Sequence, residues 1–309
     1  MATTVTRRTI DLAGLDVPLV EATGSEDGPL LTVISGVHGC EYASMDGVRR
    51  WTRSLENREL RGRVRAVPVL NLPSFWARTP FVVPEDGKNL NRQFPGNASG
   101  TLAERLAYDT FTKVITGSDA LIDMHAGDMV EALQPFALYD AGPSEARARE
   151  MASAYGLGYV IRQEPGPDRA VGGTSSAAAA EIGIPAIIAE AGGCGLVVPT
   201  AVEAHVRGLN RVLALLGMSD GPAGLPDDGP PPTYLQRFLW LHGRDEGWWE
   251  PTVQVGEAVA EGQVIGTVSS IDGTQTLETI TAPADGVLIF ITSSPAVAAG
   301  GLLLGLGAR

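Results

Sequence analysis

The run Leu30-Leu31-Thr32-Val33-Ile34, followed by Ser35-Gly36-Val37-His38-Gly39-Cys40-Glu41-Tyr42, decides how this chain folds. An apolar run bounded by Ser-Gly reads as a buried strand, and Tyr42 to Trp51 reads as the helix that follows it. His38 and Glu41 therefore sit where a strand breaks into a helix, at the carboxyl edge of a sheet. Open α/β sheets collect their ligands at that edge. An imidazole nitrogen and a carboxylate oxygen both suit Zn²⁺, and a catalytic zinc takes three protein ligands and leaves one position to water. A lone HxxE is common by chance, so the inference needs a further ligand and a base downstream.

Two more runs supply them. Ala120-Leu121-Ile122-Asp123-Met124 ends at His125-Ala126-Gly127-Asp128, and Ile184-Pro185-Ala186-Ile187-Ile188-Ala189 ends at Glu190-Ala191-Gly192-Gly193. Two histidines and a glutamate form the hydrolytic zinc set, and a further glutamate can activate the bound water. Taken singly, each residue reads equally well as a cap or a surface side chain; the repetition at three strand ends carries the inference. Helical patterns lie at 101–114, 144–155, 175–182 and 201–216. Alternation of this kind predicts an α/β fold with a mostly parallel mixed sheet flanked by helices.

The order HxxE, Asn-Arg, strand-end His, strand-end Glu resembles the succinylglutamate desuccinylase/aspartoacylase family, zinc deacylases related to the zinc carboxypeptidases. The motifs stand here as GVHGCEY at 36–42, DGKNLNRQFPG at 86–96, LIDMHAGD at 121–128 and IIAEAGG at 187–193. The resemblance implies a zinc-carboxypeptidase-like fold and one Zn²⁺ per chain, held by His38, Glu41 and His125. It implies Glu190 as general base and then acid, and Asn91 with Arg92 as the pair that holds a substrate's α-carboxylate. Arg78, in Phe75-Trp76-Ala77-Arg78-Thr79-Pro80, matches the arginine that polarises the scissile carbonyl. The implied reaction is hydrolysis of the amide bond of a small N-acyl amino acid. Two departures matter. Asn89 stands where the family often has an acidic residue that holds the arginine. No arginine occurs from Ala177 to Ala189, where aspartoacylases grip a side-chain carboxylate. This points away from aspartate- or glutamate-derived substrates and towards a neutral or amine-bearing one, as in the N-acetyl-diaminobutyrate deacetylase branch.

The chain has 309 residues, enough for one substantial α/β domain and a smaller one. Its net charge of −13 argues against nucleic acid and anionic lipid as partners, which need a basic surface. A small anionic substrate is not excluded, because arginines inside a pocket outweigh a diffuse field that salt screens beyond ~8–10 Å. No stretch is long and apolar enough to span a membrane. No apolar core follows Arg7 and Arg8, so no secretion signal is read and a cytoplasmic location is expected. Homo-oligomerisation stays open.

The stretch 219–233 is dense in Gly, Pro and Asp, which divides the chain into a catalytic domain over 1–220, a linker over 221–233 and a β domain over 234–309. In the last part, short apolar steps alternate with Gly turns, as in a small barrel or sandwich. VGEAVAEGQVIG followed by APADGV resembles the barrel-sandwich fold of biotinyl and lipoyl domains. Those carriers need a lysine on a hairpin, and no lysine follows Lys113, so carrier function is excluded. In the deacylases that the chain resembles, such a domain narrows access to the zinc.

Other residues carry weaker signals. Asp123 would face the same side as His125 and reads first as a core hydrogen bond, with a role orienting the imidazole as the alternative. Asp128 and Glu131 read as turn caps or as binders of a substrate ammonium. Gly172-Gly173-Thr174-Ser175-Ser176 reads as a helix cap, since it lacks the lysine of a phosphate loop. Cys40, between the two ligands, would point away from them, and its pairing with Cys194 stays open. His205 is expected at the surface or a boundary; His242 has no motif around it. Two rival functions remain: a zinc carboxypeptidase acting on short peptides, and a metal- or ligand-binding scaffold without turnover.

Overall fold

The decisive run lies in the middle of a sheet, which is why it is apolar but for Thr32, whose hydroxyl pairs with Ser118 Oγ. In the computed structural model, which describes residues 3–164, 172–220 and 231–308, Leu30 to Ser35 is wholly buried. It forms the second half of β3 (Glu26–Ser35), preceded by β1 (Thr4–Leu12) and β2 (Leu15–Thr23). There follow α1 (Tyr42–Ser54), β4 (Arg61–Val67), α2 (Leu72–Ala77), β5 (Val82–Val83), β6 (Lys88–Asn89) and α3 (Leu102–Thr110). The chain continues through β7 (Ala120–His125), β8 (Glu131–Leu133), β9 (Phe136–Asp140), α4 (Glu145–Tyr155) and β10 (Tyr159–Gln163). Next come α5 (Ser175–Glu181), β11 (Ala186–Glu190), α6 (Pro199–Leu215) and β12 (Thr233–Leu235).

Nine strands form one sheet in the order β1-β2-β4-β3-β7-β11-β9-β10-β12. The centre is parallel, β4, β3, β7 and β11 running together, while β9 turns antiparallel to β11. The expected mixed, mostly parallel α/β sheet is present. Alternation along β3 sends Leu31 and Val33 into a core beneath α1, α4 and α6, and Ile34 into the opposite core with α3 and α5. Helices thus cover both faces. All five expected helices form, each starting within two residues of expectation. The one expected at 101–114 runs as α3 and then as a π-helical turn over Phe111–Ile115.

The remaining strands are β13 (Arg237–His242), β14 (Gly247–Pro251), β15 (Ala258–Val259), β16 (Val264–Ser269), β17 (Thr276–Thr281), β18 (Gly286–Thr292), β19 (Ala296–Val297) and β20 (Leu302–Ala308). They make two antiparallel sheets, β13-β20-β18-β15 and β17-β16-β14-β19, over a core that includes Trp249, Ile265, Leu288 and Leu304. Two strands cross the expected division. Of the linker placed at 221–233, residues 221–230 lie outside the described residues, and Thr233 already begins β12, which pairs with β10 of the large sheet. In return β8 leaves the large sheet and pairs with β18. A second buried cluster, Phe136, Leu138, Ile188, Leu235, Val287 and Ile289, seals the seam. Among the described residues no helix is long and apolar enough to cross a membrane.

Candidate metal centre and active site

Three strand ends converge on one point. His38 lies three residues beyond β3, His125 closes β7, and Glu190, which closes β11, is its register partner. The turn after β3 is tight enough to demand glycine: a Cβ on Gly39 would lie 2.2 Å from the Phe75 nitrogen, and the Gly39 N–H donates to Ser74 Oγ at 3.0 Å. Glu41 then occupies the N-cap of α1, where the helix dipole favours a carboxylate.

His38, Glu41 and His125 are buried, with their ligand atoms within 4.8 Å of one another. His38 Nδ1 lies 2.6 Å from Glu41 Oε1, and His125 Nδ1 lies 2.8 Å from Glu41 Oε2. Both imidazoles turn Nδ1 inward, so each must place its proton on Nε2 if Nδ1 binds a cation. His38 Nε2 finds Asn89 Oδ1 at 3.0 Å. His125 Nε2 has two neighbours, Asp123 Oδ1 at 3.1 Å and Asn91 Nδ2 at 3.2 Å, and of these only the carboxylate accepts a proton. Among the described residues Asp123 Oδ1 is otherwise a buried oxygen with no hydrogen-bond partner, while Oδ2 accepts from Ser175 Oγ. Two inward nitrogens and a carboxylate, each imidazole backed by an outer acceptor, are the donor set and second layer of a histidine-carboxylate metal site. The residues fit Zn²⁺.

The electrostatics agree. Burial alone would raise the Glu41 pKa, but the His125 and His38 imidazoles outweigh it and bring it to about 2. Burial presses His125 down, and the Asp123 and Glu41 carboxylates reverse this and hold it well above the ordinary range. Burial pushes the Glu190 carboxyl well above the usual carboxylate range; Glu41, Glu131 and Asp123 add to the rise and His125 opposes it. Four carboxylates around two imidazoles make a site that a cation completes.

Removing either outer acceptor tests this. Asp123→Asn or Asn89→Ala is expected to weaken metal affinity on the order of 10–100-fold with the fold retained. Competition against a chromogenic chelator measures it; wild-type affinity in both variants would contradict the orientation of the two imidazoles.

His38, Glu41, His125, Asn89 and Glu190 open on one cavity of ≈ 480 Å³, together with Arg92, Asn91 and Glu131. Arg92 is half-buried, and its one hydrogen bond among the described residues runs from a guanidinium nitrogen to Asn91 O at 2.8 Å. Among the described residues no carboxylate forms an ion pair with it. Burial lowers its pKa, with Glu131, Glu190 and Glu41 opposing. Asn91 is more deeply set: its Oδ1 accepts from the Ser175 N–H at 3.0 Å, so its amide group faces His125. Arg78 stands apart. It is the left-handed C-cap of α2, exposed, and not among the residues lining the cavity.

Among the weaker expectations, the caps at Asp128 and Thr174 hold and the surface placement of His205 does not. Asp128 is fully buried and accepts the N–H groups of Phe81 at 2.8 Å and Met129 at 2.6 Å, so it caps the turn, and it does not line the cavity. The Phe81 backbone that it holds is at a strained φ of 61°, and the ring stands edge-on to His38. Glu131 accepts from the Asp128 N–H at 3.1 Å and also faces the cavity; burial and neighbouring Glu41 push its pKa up to about 7. Thr174 caps α5 by accepting the Ala177 N–H. Cys40 and Cys194 are both free. His205 is not at the surface but completely buried, which it tolerates because Tyr155 Oη and Ala191 O engage its two nitrogens. Its helical spacing with Val202 and Leu209, both buried, is the signal that could have placed it inside.

Residues 27–216 match the model of the succinylglutamate desuccinylase/aspartoacylase catalytic domain, and the chain belongs to that family. It is 32% identical over 251 residues to the N-alpha-acetyl-L-2,4-diaminobutyric acid deacetylase of Halomonas elongata, covering 78% of this chain and 71% of that one. Its fold is shared with a succinylglutamate desuccinylase/aspartoacylase structure from Rhodobacter sphaeroides, with a TM-score of 0.85, 24% identity, and 99% and 94% of the two chains covered. It is also shared with the product-bound ectoine utilization protein of Ruegeria pomeroyi, with a TM-score of 0.84, 22% identity, and 100% and 96% covered.

Proposed function

We propose that this chain is a zinc-dependent amidohydrolase that removes the acyl group of a small N-acyl amino acid. The observation that carries it is the register pair His125–Glu190, which puts a carboxyl outside the ligand set beside the metal triad in the same cavity. The family and the Halomonas deacetylase support the reaction class.

A zinc ion held by His38, Glu41 and His125 would supply a water acidified towards neutral pH and a Lewis acid for the scissile carbonyl. Glu190 takes the proton of the attacking water and returns it to the leaving amine, one carboxyl acting as base and then acid. Arg92 meets the α-carboxylate with its guanidinium fork. Asn91, whose amide group carries two N–H donors, adds a bond at the same end. Arg78 would have to extend from the α2 cap into the mouth to reach the carbonyl oxygen. The β domain, taken as 234–309, narrows the mouth, which disfavours the long peptides of a carboxypeptidase.

If Arg92 grips an α-carboxylate, Arg92→Ala should cost roughly 10–150-fold in kcat/KM, the worth of a hydrogen bond to a charged group. Replacing the substrate's carboxylate by an amide should cost about the same. The two losses should not add, since either removes the same contact. A double-mutant cycle with wild type and variant against an N-acyl amino acid and its amide measures this. Full additivity would make Arg92 structural and move the role to Arg78.

A further inference from the structure

The proposed catalytic groups account for only part of the cavity that they share. The rest of its wall is mostly apolar, with Thr292 and Ser294 among the polar exceptions, and the C-terminal strands contribute Phe238, Trp240, Phe290, Val297 and Leu302, with Leu133 from β8. Strand register explains the arrangement. In the β8–β18 pair, Leu133 lies opposite Phe290 and Glu131 opposite Thr292, so alternation turns all four to one face. On the next strand Gly305 is flanked by Phe290 on one side and Trp240 on the other. A Cβ on Gly305 would fall 2.4 Å from the Phe290 ring and 2.7 Å from the Phe238 ring, so the rings lie across a gap that only glycine leaves. The Trp240 and Phe290 centroids are 5.3 Å apart, and those of Phe238 and Phe290 are 6.1 Å apart. Among the described residues the buried Trp240 Nε1 has no hydrogen-bond partner, and the ring packs against Phe238 and Phe290.

Phe238 and Trp240, on the edge strand β13, are half-buried and line this cavity. Its ≈ 480 Å³ falls in the range of sites that enclose ligands much larger than an acetylated amino acid. Arg92 sits on the loop after β6, and the triad sits at the strand ends of the large sheet. A substrate held at those two points keeps its amino-acid half against the catalytic domain. The half beyond the scissile bond is the acyl group.

We propose that the aromatic wall of the C-terminal β domain is the acyl-binding subsite, and that it takes an unbranched apolar acyl chain longer than acetyl. This rests on the deacylase reading above.

The test is kcat/KM across N-acetyl-, N-butanoyl- and N-hexanoyl-L-alanine, beside N-acetyl-L-norvaline and N-acetyl-L-leucine. The acyl series should rise roughly fourfold per methylene buried, with no comparable rise in the side-chain series. Phe290→Ala and Trp240→Ala should flatten the hexanoyl-to-acetyl ratio, while Trp240→Phe, which keeps an apolar face, retains most of it. Phe290→Leu gives an intermediate ratio and stands in if the alanine variant does not fold. A flat or falling acyl series in wild type, a rise confined to the side-chain series, or a ratio untouched by the alanine variants overturns the proposal. If the metal-loaded protein turns over none of these compounds, the deacylase reading fails instead, and calorimetry with the free acids tests the wall. Hexanoate binding tighter than acetate with a negative heat-capacity change upholds the subsite; equal binding overturns it.

Discussion

Glu190→Gln is expected to keep its zinc and to lose on the order of 10²–10⁴ in kcat, the usual worth of a positioned general base and acid. The amide has the shape of the carboxyl but cannot take up a proton. Glu190 lies outside the triad of potential ligands, so its loss leaves the donor set of His38, Glu41 and His125 whole. Burial and three neighbouring carboxyls raise its pKa, which strengthens it as the acceptor of the water's proton. Metal content by mass spectrometry and steady-state kinetics on the same preparation measure both halves. Zinc lost together with turnover would make Glu190 a ligand and reopen the assignment of Glu41.

His38→Ala and His125→Ala should each empty the metal site and lower kcat/KM by about 10³ or more, since a Lewis acid and its activated water are worth several kcal/mol. The fold should survive. Both histidines lie at the carboxyl edge of the sheet, and neither belongs to the apolar clusters on its two faces. Each deletion also strips Glu41 of an imidazole that holds its pKa at about 2, so the Glu41 carboxylate loses a stabilising partner as well. Circular dichroism should match wild type while metal analysis reads near zero. Full zinc occupancy in both variants would remove them from the ligand set.

The positions of these residues were legible because strands in an α/β sheet announce themselves. Leu30–Ile34, Ala120–Met124 and Ala186–Ala189 are buried, hence apolar but for Thr32 and Asp123, and each leads to a site residue at the carboxyl edge. What surrounds them was harder to read. Asn89 was expected near the arginine and instead meets His38 Nε2, which depends on how the turn over Leu90–Arg92 folds back. Asp123 was expected first as a core hydrogen bond; it makes one, to Ser175, while its second oxygen faces His125. Only the pleat of β7 and the approach of α5 bring these together. The aromatic wall left no signal at all, because Arg237–His242 reads as any apolar strand until β8 and β18 pair across the seam. The strand Thr233–Leu235 straddles the expected end of the linker at 233, because three residues beside a proline run carry too short a pattern to register.

One measurement bears most directly on the account: amine release from a panel of N-acyl amino acids by the wild-type protein, stripped with chelator and then reloaded with zinc. The account predicts no release from the stripped protein, recovery at one zinc per chain, and free amino acid as product. Equal rates with and without metal, or a fully loaded protein that releases amine from no member of the panel, would contradict it.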